Sequence, residues 1–375
     1  MIPLLIGLLC LCVGAEAEAG DWPTFHRDPM RSGLAAEPLT VTALAEAWAA
    51  RIDEESVDSS PAVVGGRVFA GTAGGALCCL SAEDGKLLWR TTLGGTIVSS
   101  PAVASGTVFV GSADRCLYAL DAETGQLRWR VLTRGSVVAS PLVVGGRVLF
   151  GSMDGVLRCV EADTGAPVWS VRETGPVSAA AAATEDTVYY GDEAGRIVAR
   201  NMTDGKLLWT AQFAGSVVAA PTIYGDKLLV PVMSGTALQP PNTDCMVCCD
   251  RTTGRLLWTL RRQSSVLHTP VTDGSNVYFA TVSGYLSETE LLACRLSDGA
   301  QVWALRLGGV ADSSPALAGS RLVLGCHDGR IYIIDAAGGR TLETIQIGAK
   351  VFSSPAIANG RVYFGAQDGK IHCLR

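Results

Sequence analysis

Tryptophans at positions 89, 129, 169 and 209 recur every 40 residues, and Trp258 and Trp303 continue the series at steps of 49 and 45. Each is preceded four residues earlier by a glycine: Gly85, Gly125, Gly165, Gly205, Gly254 and Gly299. A second marker runs in step. "SSP" begins at Ser59, Ser99, Ser313 and Ser353, with degenerate forms at Ala139 (ASP), Ala179 (AAA), Ala219 (AAP) and His268 (HTP). Eight copies of one unit therefore run from residue 59 to residue 375. A residue shared among copies must first be explained as part of that unit.

Each copy reads as four short strands. In 99–138, "SSPAVAS", "TVFVGS", "CLYALD" and "QLRWRVL" are separated by Ser105-Gly106, Ala113-Asp114 and Thr124-Gly125, turn signals between β-branched or alternating runs. Other copies carry Asp-Gly at the second turn (Asp154-Gly155, Asp328-Gly329, Asp368-Gly369), a hairpin signal. Four strands per roughly 40 residues is the pattern of a propeller blade. The last copy lacks a Trp-bearing fourth strand, whereas "AEAWAARI" (45–52) places Trp48 eleven residues before Ser59, close to the ten from Trp89 to Ser99. The expected fold is all-β: an eight-bladed β-propeller of four-stranded antiparallel blades. The N-terminal strand closes the last sheet and removes two exposed edges. Seven blades is the alternative, if the 179–218 copy or one of the longer copies is not a blade. The Trp side chains are expected between neighbouring sheets near the rim. The copy with Glu343 at the Trp position is expected to be looser or edge-exposed. The small residues of "SSP" suit innermost strands crowded around an axis.

A hydrophobic fraction of 48% against 18% charged residues indicates a well-buried chain. A net charge of −6 gives no basic footprint, which argues against a nucleic-acid partner. An apolar run over 2–13 precedes the small-residue pattern of Ala15, Ala17 and Ala19, as in a secretory signal peptide. The run is too short to span a bilayer. The expected organisation is a signal peptide (1–19), a lead-in (20–44) and a propeller (45–375). The protein is expected to be exported, periplasmic or extracellular, monomeric and not integral to a membrane. Leu9 stands where a lipoprotein signal ending at Cys10 needs a small residue, which disfavours a lipid anchor.

The pattern A-x-D-x-x-T-G-x-x-x-W, clearest at 119–129, together with "SSPAIANGRVYFG" at 353–365, resembles the repeat of pyrroloquinoline-quinone-type propellers. That superfamily includes quinoprotein dehydrogenases and an outer-membrane assembly lipoprotein. The resemblance covers residues 45–375, and "DWPTFHRDPMRSG" (21–33) is similar to the lead-in of secreted bacterial proteins of this type. It implies one of two functions: a protein-binding scaffold in the cell envelope, or a dehydrogenase. The dehydrogenase would require a calcium-binding Glu/Asn/Asp set, a catalytic Asp, an Arg or Lys on the quinone, a Trp floor and a vicinal disulfide. That set cannot be placed on this chain residue by residue.

Few positions stand apart from the repeat. Asp58 and Asp312 immediately precede "SSP" strands and His268 begins another, so these three are candidates for a cofactor-binding group at one channel mouth. Of twelve cysteines, Cys79, Cys159, Cys248 and Cys373 share a repeat position occupied elsewhere by Ala119, Ala199 and Ala293, which indicates small buried fillers. Cys78-Cys79 and Cys248-Cys249 are adjacent mid-strand, where neighbours face opposite ways. Cys245-x-x-Cys248 lacks a second half-site for zinc. The four His (His26, His268, His327, His372) are dispersed, and His372 aligns with Tyr332 and Leu292, a packing position. No catalytic residue and no metal ligand is assigned, no cofactor is expected, and pyrroloquinoline quinone with calcium is the alternative. The longer copies gain length at 232–245 and 282–290, between second and third strands of adjacent copies. Leu238, Pro240, Pro241, Asn242, Tyr285 and Leu286 there are candidates for binding a partner. The expected function is a non-catalytic scaffold for an envelope protein. The alternative is a quinone-dependent dehydrogenase or a degenerate quinone- or small-ligand-binding propeller.

Overall fold

The computed structural model describes residues 20–39, 43–233, 243–262, 264–283 and 288–375. In it the eight copies form eight antiparallel sheets, numbered here as blades 1–8 in chain order from Ala62. Blade 1 runs outward as Ala62–Val64, Arg67–Gly71, Ala76–Ser81 and Leu87–Thr92. The eighth sheet takes three strands from 356–374 and its outermost, Glu46–Arg51, from the other end of the chain. That closing strand pairs Trp48 with Cys373 and Arg51 with Lys370, and Ala45 and Arg375 exchange two backbone hydrogen bonds of 3.0 Å. Eight blades, not seven, are present. Blade 6 has a fifth strand, because Ser264–Ser265 pairs the far end of Asn276–Ser283.

Burial follows position in the blade. Second strands such as Thr107–Gly111 are buried throughout, while outermost strands such as Leu127–Leu132 alternate between exposed and half-buried. The middle strands are sandwiched by the sheets on either side, and only one side of the outer strand meets a neighbour. Adjacent cysteines obey the same alternation. Cys78 and Cys79 pack into different apolar clusters, as do Cys248 and Cys249. All four are free thiols, and burial raises Cys78 to about 11 and Cys79 to about 12.

The tryptophans link blades in a directed way. Trp129 Nε1 donates to Ala162 O of the next blade at 3.0 Å, and Trp48, Trp89, Trp169, Trp209, Trp258 and Trp303 repeat the bond onto the following blade. Each indole lies on the turn glycine beyond that carbonyl. A Cβ on Gly165 (φ 70°) would stand 2.7 Å from Trp129 Cε3, so this glycine is required for close approach as well as for its left-handed backbone. Glu343 needs a different explanation from the looseness expected of it. Blade 8 joins its last two strands by pairing chain segments rather than through such a turn, so a Trp from blade 7 would have no glycine to rest on. Glu343 Oε2 instead accepts the Leu44 N–H at 3.1 Å where the chain enters that blade.

Around the axis the serines do more than fit. The second residue of each "SSP" donates its backbone N–H to the corresponding hydroxyl of the next blade: Ser60 to Ser100, Ser100 to Ser140, Thr269 to Ser314, Ser314 to Ser354 and Ser354 to Ser60, at 2.9–3.1 Å. The first serine ties the innermost strand to the glycine ending the second strand of its own blade, as Ser59 does with Gly71 N at 3.2 Å and Ser353 with Gly365 N at 2.6 Å. The hydroxyl chain is interrupted at blades 4 and 5, where Ala180 and Ala220 stand.

The lead-in threads across the hub on the opposite side from the mouth. Trp22 pairs Val63 of blade 1, Pro23 O accepts from Val103 of blade 2, Pro29 O from Ala183 of blade 4 and Met30 O from Ile223 of blade 5. Gly33 and Ala35 then bracket Leu317 of blade 7. Arg31 is fully buried. Its Nε donates to Ala181 O (2.8 Å), Nη1 to Phe25 O (2.6 Å) and Thr24 Oγ1 (3.0 Å), and Nη2 to Pro141 O (3.3 Å). Burial lowers its pKa to about 9, so it remains a cation at neutral pH, held by backbone dipoles. His26, Arg27 and Arg31 adopt φ of 54°, 74° and 58°, conformations that L-residues keep only when their surroundings impose them.

Two outcomes follow from this packing. Gly165→Ala should lower stability by about 2–4 kcal/mol in urea unfolding, whereas Glu343→Trp should gain nothing. Burial pushes His26 down to about 3 from 6.5, so the unfolded chain binds a proton that the folded chain refuses between those values. Stability should therefore fall as pH drops below 6.5, with His26 contributing up to about 1.4 kcal/mol per pH unit. His26→Gln should flatten that part of the slope when unfolding midpoints at pH 7 and pH 4 are compared.

Candidate functional site

Each innermost strand starts at the face where outer strands hand over to the next blade and where second strands turn into third ones. Residues just before "SSP" therefore ring one mouth of the channel, and the lead-in closes the other end. The result is a blind cup of about 180 Å³. Phe25 of the lead-in lies at its floor, and Ser60, Ser100, Ser140, Thr269, Ser314 and Ser354 line its wall. Val98, Val138, Val218 and Leu267 form an apolar collar, with Asp58, Ser178 and His268 between them.

Of the three sequence candidates, His268 and Asp312 meet directly, with Nε2 3.1 Å from Oδ1 across blades 6 and 7. Asp58 lines the same cup from blade 1. Its Oδ2 accepts the Ser56 hydroxyl at 2.9 Å, while its Oδ1 is buried without a partner. A fourth residue was not foreseen. His327, in the blade 7 hairpin, places Nε2 3.1 Å from Asp312 Oδ2, and its ring lies 4.1 Å from that of Phe352. Its repeat position is occupied by Ala73, Ala113 and Met153 in other copies, so only a comparison of copies could have singled it out. Burial alone would raise the Asp312 carboxyl, but the His268 and His327 contacts outweigh it and hold the group below the usual range. Burial lowers His327, with Asp312 opposing and Lys350 and His268 assisting. His372 lies elsewhere, buried between Glu46 (2.7 Å) and Asp368 (3.3 Å), where it links the closing strand to the last one.

Leu238, Pro240, Pro241, Asn242, Tyr285 and Leu286 lie outside the described residues. The strands that lead to them are Thr243–Asp250, Asn276–Ser283 and Glu288–Arg295, each of eight residues against five or six at the same places in other blades. Blades 5 and 6 are therefore taller than the rest on the face that carries the cup mouth.

Residues 39–328 match the family model described as "Beta-alanine-activating enzyme, beta-propeller". The chain belongs to this propeller family. No curated protein matches it in sequence. Among solved structures it is similar to BamB from Moraxella catarrhalis, with 21% identity, a TM-score of 0.74 and coverage of 89% of this chain and 98% of that one. It is also similar to quinohemoprotein alcohol dehydrogenase from Comamonas testosteroni (15% identity, TM-score 0.77, 95% of this chain and 80% of that one). A europium-containing methanol dehydrogenase is a third such structure (16%, 0.73, 93% and 91%). At these identities the likeness is one of fold, and a propeller of this family can carry many chemistries.

The cup does not fit pyrroloquinoline quinone. That molecule carries three carboxylates, and no Lys or Arg among the described residues lines the cup. Arg31 lies beneath the floor with its donors committed to Thr24, Phe25, Pro141 and Ala181. The repeat tryptophans are bonded across blades near the rim, so none forms a floor. Among the described residues no group of three or more His, Cys, Asp and Glu side chains converges as metal ligands.

The His327 imidazole should titrate below 6.5 in an NMR pH series. In Asp312→Asn it should titrate lower still, because the carboxylate is the group that opposes burial.

Proposed function

We propose that this propeller is a non-catalytic scaffold that binds a protein partner in the bacterial cell envelope, after export directed by residues 1–19. The observation that carries the proposal is the hub: among the described residues Asp58 and His268 are its only ionisable lining groups, and a buried arginine and the lead-in seal its far end. Two features support it. The longer strands of the adjacent blades 5 and 6 make them taller on one face, and extra length on one face is the usual place for binding surfaces in repeat folds. Similarity to BamB over 98% of that chain is in keeping with an envelope setting, and no helix among the described residues is long and apolar enough to cross a membrane. The partner surface is assigned to residues 234–242 and 284–287, with the propeller acting as a monomer.

The competing function is quinone-dependent dehydrogenation, favoured by the likeness to two dehydrogenases. Titration with pyrroloquinoline quinone and calcium should give no saturable quenching of tryptophan fluorescence and no dye-linked alcohol oxidation. Saturable binding with turnover would overturn the scaffold proposal. Photo-crosslinkers placed singly at Pro240 and Tyr285 should capture one common envelope protein that a crosslinker at Glu83, on the opposite face, does not. Equal capture from both faces would count against it.

A further inference from the structure

The lead-in buries an imidazole in surroundings that refuse a second proton. His26 is fully enclosed. Its Nδ1 lies 3.3 Å from Arg31 O, which can only accept, so Nδ1 carries the hydrogen and Nε2 keeps the lone pair. Nε2 is shut away from solvent with no partner. A Cβ on Gly33 would stand 2.7 Å from Nδ1 and 3.2 Å from Val271 Cγ2 of blade 6. The ring is therefore wedged between the lead-in's own backbone and an innermost strand. A proton added at Nε2 would make a buried N–H with no acceptor, a costly arrangement and more so when charged. The charges that act on the ring are Arg31 in the lead-in and His268 at the head of blade 6's innermost strand, and both oppose that proton. Asp28, two residues along the chain, is taken up by the N–H and hydroxyl of Ser32. Asp312 lies beyond His268, 3.1 Å from its Nε2.

The segment that holds this ring is bonded to the hub but takes no part in the joints that close it. Val103, Ala183, Ile223 and Leu317 each donate a backbone N–H to the lead-in, Trp22 and Val63 exchange two such bonds, and Arg31 bonds Pro141 and Ala181. The Trp-to-carbonyl bonds, the hydroxyl chain and the pairing of the closing strand use no residue of 20–39. The segment also holds His26, Arg27 and Arg31 in the left-handed region, and detachment relieves all three. The backbone groups it would leave behind border the channel, where water can replace its bonds.

We propose that the lead-in is an acid-released strap: protonation of His26 detaches residues 20–39 from the hub while the eight blades stay closed, and the cup loses its floor. The sign follows from linkage. Attached, His26 is lowered to about 3 by burial, and detached it is a solvated imidazole with the ordinary 6.5. The detached form therefore binds more protons between those values, and acid favours it. Each pH unit below 6.5 raises the ratio of detached to attached strap by up to about tenfold, which amounts to about 300-fold at pH 4. Above pH 7 the strap is closed. The device is independent of the partner surface assigned to 234–242 and 284–287, which contributes nothing to it.

The test is hydrogen exchange of the purified full chain, read by mass spectrometry at pH 7, 6, 5 and 4. Rates are converted to protection factors so that the intrinsic pH dependence of exchange cancels. Peptides covering 20–39 should lose protection by about 30-fold or more between pH 7 and pH 4, while peptides covering the closing strand and the second and third strands of blades 2 and 7 stay within about threefold. His26→Gln, which cannot take up the proton, should hold the change in 20–39 within about threefold as well. Where melts show His26→Gln unfolded at pH 7, His26→Phe replaces it as an uncharged ring of similar size. The proposal is overturned if 20–39 is unprotected at pH 7 or equally protected at pH 4. It is equally overturned if strap and blades lose protection together, or if the His26 variant shows the same loss as the natural chain.

Discussion

The ring depends on how its innermost strands are joined to one another. Each of these strands pairs with its own blade on one edge only, and the other edge faces the axis with backbone groups that need partners. A hydroxyl at one position per blade solves this on the mouth side: the N–H of Ser60 reaches Ser100, that of Ser100 reaches Ser140, and Ser354 closes back to Ser60. Ala180 and Ala220 break the series, and the lead-in bonds those two blades as it does blades 1, 2 and 7. Pro29 and Met30 accept from blades 4 and 5, Arg31 bonds carbonyls of blades 3 and 4, and Thr222 donates to Arg31 O. The lead-in thus ties blades 4 and 5 to the rest of the ring on the side opposite the mouth, where they have no hydroxyl link to lose.

A second set of joints works at the outer strands, where every Trp of an outer strand reaches forward onto the next blade's turn. The two sets divide the load by radius. Hydrogen bonds set the spacing at the axis, and indole-on-glycine packing sets it near the rim, where sheets diverge and more volume must be filled. The exception at Glu343 shows that these joints belong to interfaces rather than to copies. Where strands from the two ends of the chain meet, the surface a Trp would rest on is missing, and a carboxylate that bonds the incoming backbone is what the site can use.

That difference between copy and interface explains how much the sequence made legible. Blade number, strand order and closure were readable because periodicity and alternation are local properties. The burial of adjacent cysteines on opposite faces followed from the same rule. The role of the serines was read only as small size, because a hydrogen bond to the next copy leaves no trace within one copy. The lead-in carries no repeat at all, so no periodicity marked its Arg31 and His26 for burial. At the mouth, Asp58, Asp312 and His268 could be placed at one end of their strands. The pairing of His268 with Asp312 and the arrival of His327 depended on which blades are neighbours and how their loops fold. The insertions at 232–245 and 282–290 were read as excess length, and the longer strands that enter and leave them are what the structure adds.

The hub also shows why a shared fold does not transmit a shared ligand. Eight strands around an axis always leave a central space, but its chemistry is set by a few residues at the strand starts and by whatever plugs the far end. Here the plug carries the hub's cation below the floor and satisfies it with carbonyl oxygens, out of reach of a ligand above. The carboxylate of Asp58 remains on the upper side, with one oxygen unanswered. The chemistry of the hub is thus set by the plug and the strand starts, whichever relatives the surrounding blades resemble.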